Sequence, residues 1–227
     1  MTNENKSNLY TFNRQTHTLF ASLEKTWNNT ITEAGVQAEY SKQQLTSGKT
    51  STKQDQVHLY PRFRFSYLPD QNHLLSVSYL QRVLRPIGTD LNPFIDSSDA
   101  TRIVQGNPDL KNEMIHAVTL SYQQTVSNVQ LTPAIYYRYR SNRILEMLIK
   151  QNEQSVRIKD NMGNTQTVGF ELSGIWQPVT PLVIDFSGNV YRDEIDGRQT
   201  GHTDKKISCM LGHQRRHSVA YNFFYHL

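Results

Sequence analysis

The sequence predicts an all-β fold, an antiparallel up-and-down meander of about eight strands. Three observations carry this. Between Thr16 and Asp196, apolar and polar residues alternate with a period of two in one segment after another. Residues that favour turns separate those segments at regular intervals. The composition is that of half-apolar strands: 37% of residues are hydrophobic, 12 are Tyr, a strand-favouring type, and the mean hydropathy is −0.62. No run of ~18 apolar residues could cross a bilayer as a helix.

In chain order, Leu19, Ala21 and Leu23 share one face of the stretch from Thr16 to Trp27, opposite Thr18, Ser22 and Glu24, and Phe20 breaks the pattern. Asn28 and Asn29 form a turn into Thr30 to Tyr40, where Ala34, Val36, Ala38 and Tyr40 oppose Glu33, Gln37 and Glu39. The polar stretch 41–56 reads as a long exposed loop. From His58 to Tyr67, Leu59, Phe63, Phe65 and Tyr67 oppose Tyr60, Arg62, Arg64 and Ser66, with Pro61 tolerable only near a strand end or bulge. A tight turn at 69–72 leads to Leu75, Val77 and Tyr79. After a long aperiodic stretch, Val118, Leu120 and Tyr122 alternate up to a turn at 127–128, and Leu131, Pro133, Ile135, Tyr137 and Tyr139 follow. A polar stretch 150–163 precedes Val168, Phe170, Leu172, Gly174 and Trp176. A turn at 178–181 then brings in Leu182, Ile184, Phe186, Gly188 and Val190.

The loops alternate in length: short at 28–29, 69–72, 127–128 and 178–181, long at 41–56, 83–112, 150–163 and 193–204. Transmembrane barrels have this asymmetry, with tight periplasmic turns and long extracellular loops, and ~10 residues per strand span a tilted crossing. The meander is therefore expected to be part of a transmembrane β-barrel, open or incomplete with this number of strands. The apolar set, including Val36, Phe65, Val77, Leu120, Ile135, Phe170 and Ile184, is expected on one lipid-facing side. Trp27 and Trp176 belong beside the short turns, and Glu33, Glu39, Arg62, Arg64, Arg138, Glu171 and Asp185 face a wet lumen. Periodicity alone also allows a soluble antiparallel barrel or sandwich acting as a binding module, with the faces reversed.

The meander is organised around residues 82–113, which have no period of their own. Turn residues crowd there, in Leu91-Asn92-Pro93-Phe94 and in Gly106-Asn107-Pro108-Asp109-Leu110. Each Pro pushes its predecessor toward extended geometry, and Gly106 and Asn107 tolerate positive φ. A structureless loop this long is usually functional or disordered. Arg85-Pro86, then LNPF, then GNPDLK followed by acidic Glu113 resembles the barrel domain of TonB-dependent outer-membrane receptors of the type found in Bacteroidetes. That family typically has Pro after the Lys, where this chain has Asn112. The resemblance covers roughly residues 8–200. It implies residence in the cell outer membrane, contact with outer-membrane lipid, and uptake of an extracellular nutrient energised by the TonB system. It also implies that extracellular loops touch the ligand or a surface lipoprotein, with Asn92, Phe94, Arg102, Asn107 and Asp109 as candidate ligand-binding residues.

Against the family, a plug domain, several strands and a TonB-contacting segment are not expected to be encoded in this chain. The amino terminus, MTNENKSNLYTF, lacks the basic and apolar regions of a signal peptide. Residues 1–204 are read as a partial barrel domain and 205–227 as a divergent tail, as in a truncated product. The one cysteine, Cys209, excludes an internal disulfide, and the net charge of +4 is scattered along the chain. Nucleic acid is not an expected partner, since the Arg and Tyr residues at 60–64 and 136–140 suit a lumen equally well. His213 and His217 stand four apart without the helix or the Glu of a metal motif. Glu33 with Glu39, or Glu171 with Asp185, could pair as in a glycosidase, but lumen carboxylates next to arginines explain them better. No catalytic residue, metal or cofactor is expected.

Receptors of the type resembled close with about 22 strands, so eight leave edge backbone unpaired in lipid, where each such group costs several kcal/mol. Expressed alone behind an added signal peptide, the chain is expected to aggregate or be degraded, without transport. A heat-modifiable, protease-resistant monomer in the outer-membrane fraction is the outcome that would overturn this.

Overall fold

The computed structural model describes residues 10–47, 50–96, 103–151, 154–197 and 202–217. Eleven strands form one sheet: β1 (Tyr10–Trp27), β2 (Thr30–Ser47), β3 (Thr50–Asp70), β4 (His73–Leu84), β5 (Ile95–Asp96), β6 (Ile103–Gln105), β7 (Glu113–Val126), β8 (Val129–Gln151), β9 (Gln154–Val179), β10 (Leu182–Gly197) and β11 (His202–His217). Nine long ones are joined as antiparallel neighbours in the order β1-β2-β3-β4-β7-β8-β9-β10-β11. The path ends at β1 and β11, so among the described residues the sheet is not closed.

The eight expected strands are all present, and β11 adds a ninth within the stretch set apart as a tail. The four short turns lie where expected, with Asn28 (φ 49°) and Ser127 (φ 54°) in the left-handed region that tight hairpins need. The long loops differ from expectation. The polar stretches 41–56, 150–163 and 193–204 are mostly strand: β2 and β3 stay paired up to Ser47↔Thr50, β8 and β9 up to Gln151↔Gln154, and β10 and β11 up to Gly197↔His202. These hairpins run past the apolar face, and inward positions such as Ser41 and Gln43 are buried yet polar, so the ladder continues without the apolar alternation that would reveal it. Among the described residues, only the stretch between β4 and β7 is irregular.

Directly paired residues share a face. One row runs Phe65↔Val77↔Leu120↔Ile135↔Phe170↔Val190↔Cys209 across seven strands. Thr32 and Val36 of β2 fall on the same face, Thr32 opposite Phe65. Ile184 joins the row's face through its neighbour Val190 on β10, opposite Trp176. Phe65, Val77, Leu120, Ile135, Phe170 and Val190 are exposed, and large apolar side chains are exposed far more often than buried among the described residues. A soluble protein hides that surface. Among the described residues, no dry core lies behind this face to support the soluble alternative.

Aromatic residues bound the apolar face at both ends. Trp27, Tyr67, Tyr122 and Trp176 lie beside the short turns. At the other end, rings of His17 and Tyr40, Tyr79 and His116, and His116 and Tyr139 lie 6.2–6.4 Å apart. The ten residues from Trp27 back to His17, at ~3.4 Å each and tilted ~45°, rise ~24 Å, the height of the apolar band of a transmembrane barrel.

The opposite face carries Glu33, Arg62, Arg64, Arg138, Glu171 and Asp185, as expected. Arg62 lies across Gly35, where any Cβ would meet its Nε at 2.7 Å, and bonds Glu33 at 3.1 Å. Arg138 sits over the Tyr136 ring at 4.2 Å. Pro61 is one step past Arg62, the last residue on that side of β3 paired with β4; Pro133 falls where the β7–β8 ladder skips from Ser121↔Ala134 to Gln124↔Leu131. Both prolines sit where a ladder bond is already lost.

This orientation predicts opposite responses at neighbouring positions. Leu120→Arg, in the middle of the outward row, is expected to destabilise the membrane form by about 2–4 kcal/mol. Thr119→Arg, on the inner face, is expected to leave it assembled. Urea titration in lipid vesicles, with each substitution carried in the complete receptor, checks both.

Candidate functional site

The inner face is occupied at its outer end by residues 85–96 and 103–112, which fold back across the sheet as a strap. A one-turn 3-10 helix at Gly88–Leu91 begins it, β5 and β6 form a small hairpin, and β6 runs parallel to β9 through Ile103↔Val156. That parallel pair is the one departure from antiparallel order among the described strands. Leu91, fully buried, packs with Leu45 of β2 and Leu110, flanked by Tyr10 and Phe12 of β1 and Ile144 of β8. Flat, β1 and β8 would lie five strand spacings apart, ~24 Å. Meeting one small cluster requires the sheet to curve around the strap.

Polar contacts hold the strap to both sides. Arg85 pairs with Glu39 of β2 and donates to Tyr60 Oη of β3 at 3.2 Å. Arg14 Nη2 donates to the Pro86 carbonyl at 3.2 Å, and burial followed by the charge of Arg85 lowers the Arg14 pKa from its ordinary value. On the far side, Lys159 Nζ bonds Asp90 Oδ1 at 2.7 Å and Asn107 Nδ2 donates to Asp160 Oδ1 at 3.3 Å. Asn161 accepts from Lys111 N at 2.7 Å and returns a bond to Lys111 O at 3.1 Å.

Glu113 anchors the exit of the strap. Its side chain is 2% exposed, pairs with Arg140 Nε, and accepts the Ile144 N–H at 2.8 Å. The ladder is irregular between Arg140 and Ile144, around Asn142 at φ 53°, so the Glu113 carboxylate serves the N–H that the bulge releases. Gly106 acts by close approach, not by positive φ: a Cβ would stand 2.5 Å from the Asn92 oxygen and 2.6 Å from the Asp90 oxygen. Its own N–H donates to Asn92 O at 2.9 Å.

The sequence candidates divide. Asn92 Oδ1 accepts Phe94 N at 3.1 Å, and Asn107 Oδ1 accepts Asp109 N at 3.0 Å, so both amides shape the strap's own turns. Phe94 is half-buried, and Arg102 lies outside the described residues. Among the four that are described, Asp109 alone is exposed, and it borders two clefts. One, of about 300 Å³, lies against Tyr10, Leu45, Pro93 and Pro108. The other, of about 590 Å³, separates β3 at Gln54, Asp55, Gln56 and His58 from strap residues 109–112. Glu39 and Tyr60 were legible only as inward-facing, and Gln54, Gln56, Lys159 and Asn161 carried no signal in the sequence, because their role depends on strands that meet the strap only through curvature.

Of the carboxylates weighed for catalysis, Glu33 is engaged with Arg62 and Glu39 with Arg85. His213 and His217 lie in strand β11, where a spacing of four extends the two along the chain instead of stacking them as a helix would.

A family model described as "Outer membrane protein beta-barrel family" matches residues 1–222. No curated protein matches the chain. Among solved structures, the fold is similar to the hemophore receptor HasR of Serratia marcescens, solved with its hemophore HasA and heme (TM-score 0.69, 14% identity, 86% of this chain and 39% of that one). It is also similar to the copper transporter OprC (0.65, 12%, 88% and 32%) and to the FrpB iron transporter of Neisseria meningitidis (0.57, 12%, 80% and 26%). The chain thus spans well under half the length of these structures, and at such identities the likeness is one of fold.

Removing the strap's anchor tests its role. Glu113→Ala leaves Arg140 and the Ile144 N–H without their partner, at a cost of about 3 kcal/mol. The expected result is protease cleavage within 85–112 at concentrations that spare the unsubstituted protein, read by mass mapping of the fragments.

Proposed function

The chain belongs to the outer membrane protein β-barrel family, and on that premise we propose that it forms part of the wall and outer rim of a receptor for an extracellular nutrient. The observation that supports this most directly is the outward row from Phe65 to Val190, bounded by aromatic residues about one hydrocarbon thickness apart. Behind that row stands a polar lumen whose outer end holds a fixed strap and two clefts. Lipid is the partner of the convex face. The solute meets the outer end, where Asp109 and the β3 side chains border open space. Inward movement would be driven by TonB and gated by parts of a complete receptor, as for uptake proteins of this architecture.

Cys209 offers a test, since it is the single cysteine and stands outward at mid-height opposite Val190. In intact outer-membrane vesicles a charged, impermeant maleimide is expected to leave Cys209 unlabelled, while an apolar maleimide reaches it and denaturation exposes it to both. A cysteine placed at Asp109 in a Cys209→Ser background is expected to label from outside whole cells. Rapid labelling of native Cys209 by the charged reagent would end the membrane reading.

A further inference from the structure

We propose that the solute taken at the outer rim is a short extended peptide, bound as an added strand on the open edge of β3; this rests on the receptor reading above. The edge exists because neighbouring strands differ in length. β3 pairs with β2 all the way to Thr50, but its continuous ladder with β4 reaches only Arg62, and β4 ends at Leu84 where the chain turns inward as the strap. Above that point, from Thr50 to Val57, β3 has a ladder on one side only among the described residues. In an antiparallel strand alternate residues direct their N–H and C=O to each side, so about four residues here present unpaired donors and acceptors. Standing beyond the apolar band they are solvated, and such an edge is a template for another strand.

The larger cleft runs along this edge. It touches Gln54, Asp55 and Gln56 in succession. Gln54 and Gln56 face inward with His58, whereas Asp55 faces outward and accepts from Tyr40 Oη at 3.1 Å. A space bordered by three consecutive β residues follows the strand's edge and not one of its faces. On the inner side, Asn112 Nδ2 bridges to Gln56 Oε1 at 3.0 Å and makes a floor.

The two walls differ in what they offer. On the strap wall the backbone is already used: Asp109 N and Leu110 N bond Asn107, and Lys111 N and O bond Asn161. The β3 wall supplies the free ladder. The strap wall instead supplies side-chain charge of both signs, Asp109 and Lys111, which have no ion-pair partner among the described residues. Backbone donors and acceptors in a line, with one carboxylate and one ammonium beside them, match a zwitterionic peptide. The volume of about 590 Å³ is that of a small-ligand pocket, so a free oligopeptide fits better than a strand carried by a folded partner.

The test uses native outer-membrane vesicles bearing the full protein and a (Thr-Val)₃ hexapeptide with free termini. Its terminally blocked form, its form N-methylated at alternate residues and a maltohexaose are the comparisons. The free hexapeptide is expected to bind. N-methylation that removes two ladder bonds should weaken it about tenfold or more. Asp109→Asn or Lys111→Gln should weaken the free peptide severalfold and leave the blocked one unchanged. No binding of the free peptide at millimolar concentration, equal binding of the N-methylated form, or saturable binding of maltohexaose alone would overturn the proposal. Should that happen in vesicles where Cys209 stays shielded from the charged maleimide, the peptide ligand fails and the membrane reading stands.

Discussion

Hydrocarbon offers no water to a backbone N–H or C=O, and this constraint shapes the protein more than any other. Through the apolar band the ladder from β2 to β10 is continuous, and its irregularities gather near the two ends. The breaks at 67–70, 122–123 and 182–184 lie next to the short turns, and that at 140–144 lies at the outer end. Where the chain does lose a ladder bond, water or a side chain can reach the freed group, as Glu113 reaches Ile144 N. Side-chain choice follows from the same constraint. The outward positions are apolar because their surroundings are, and the inward ones can be charged because the lumen is wet.

The inner face shows how a sheet with so little apolar core is held in shape. The buried apolar cluster is small, centred on Leu91, Leu45 and Leu110. Around it, contacts from Arg85 to Glu39 and from Lys159 to Asp90 reach strands on opposite sides of the strap. Each is partly solvated at the cation, so each contributes modestly to stability. Together they set curvature: a strap bonded to β1, β2 and β3 at one side and β9 at the other acts as a chord across the sheet. The residues most deeply built into that chord are Leu91, Gly106, Leu110 and Glu113, which explains why LNPF and GNPDLK read as a motif. Much of that motif is scaffold. Asp109 and Lys111 are its exposed charged members, and Asp109 lies beside both clefts.

Much of the fold was legible in the sequence, because a strand with lipid on one side and water on the other writes its position in every second residue. The period of two placed eight strands, the Asn, Ser and Pro pairs placed four tight turns, and the unequal loops told one end of the sheet from the other. Beyond the apolar face that signal vanishes, because even buried inward positions such as Ser41 and Gln43 are polar, so β2, β3, β8 and β9 continue through stretches that look like loops. The His202–His217 strand was hidden for a related reason, its inner and outer residues being too mixed to alternate cleanly.

The candidate site was legible only in outline. Turn residues marked 82–113 as special, and its Asn and Gly residues pointed to tight geometry, though Gly106 turned out to be needed for close approach and not for a left-handed backbone. What these residues touch depended on curvature, which brings β1 and β8 to one cluster and lays the strap between Glu39 and Lys159. By itself, then, the sequence determined where eight strands cross the apolar band, which face is apolar and which end is long, since those are local consequences of period and turn chemistry. Only the tertiary structure decided the ion-pair partners, the open edge of β3 and the clefts beside Asp109. These arise from contacts between segments tens of residues apart, and nothing in the local pattern of either segment encodes the other.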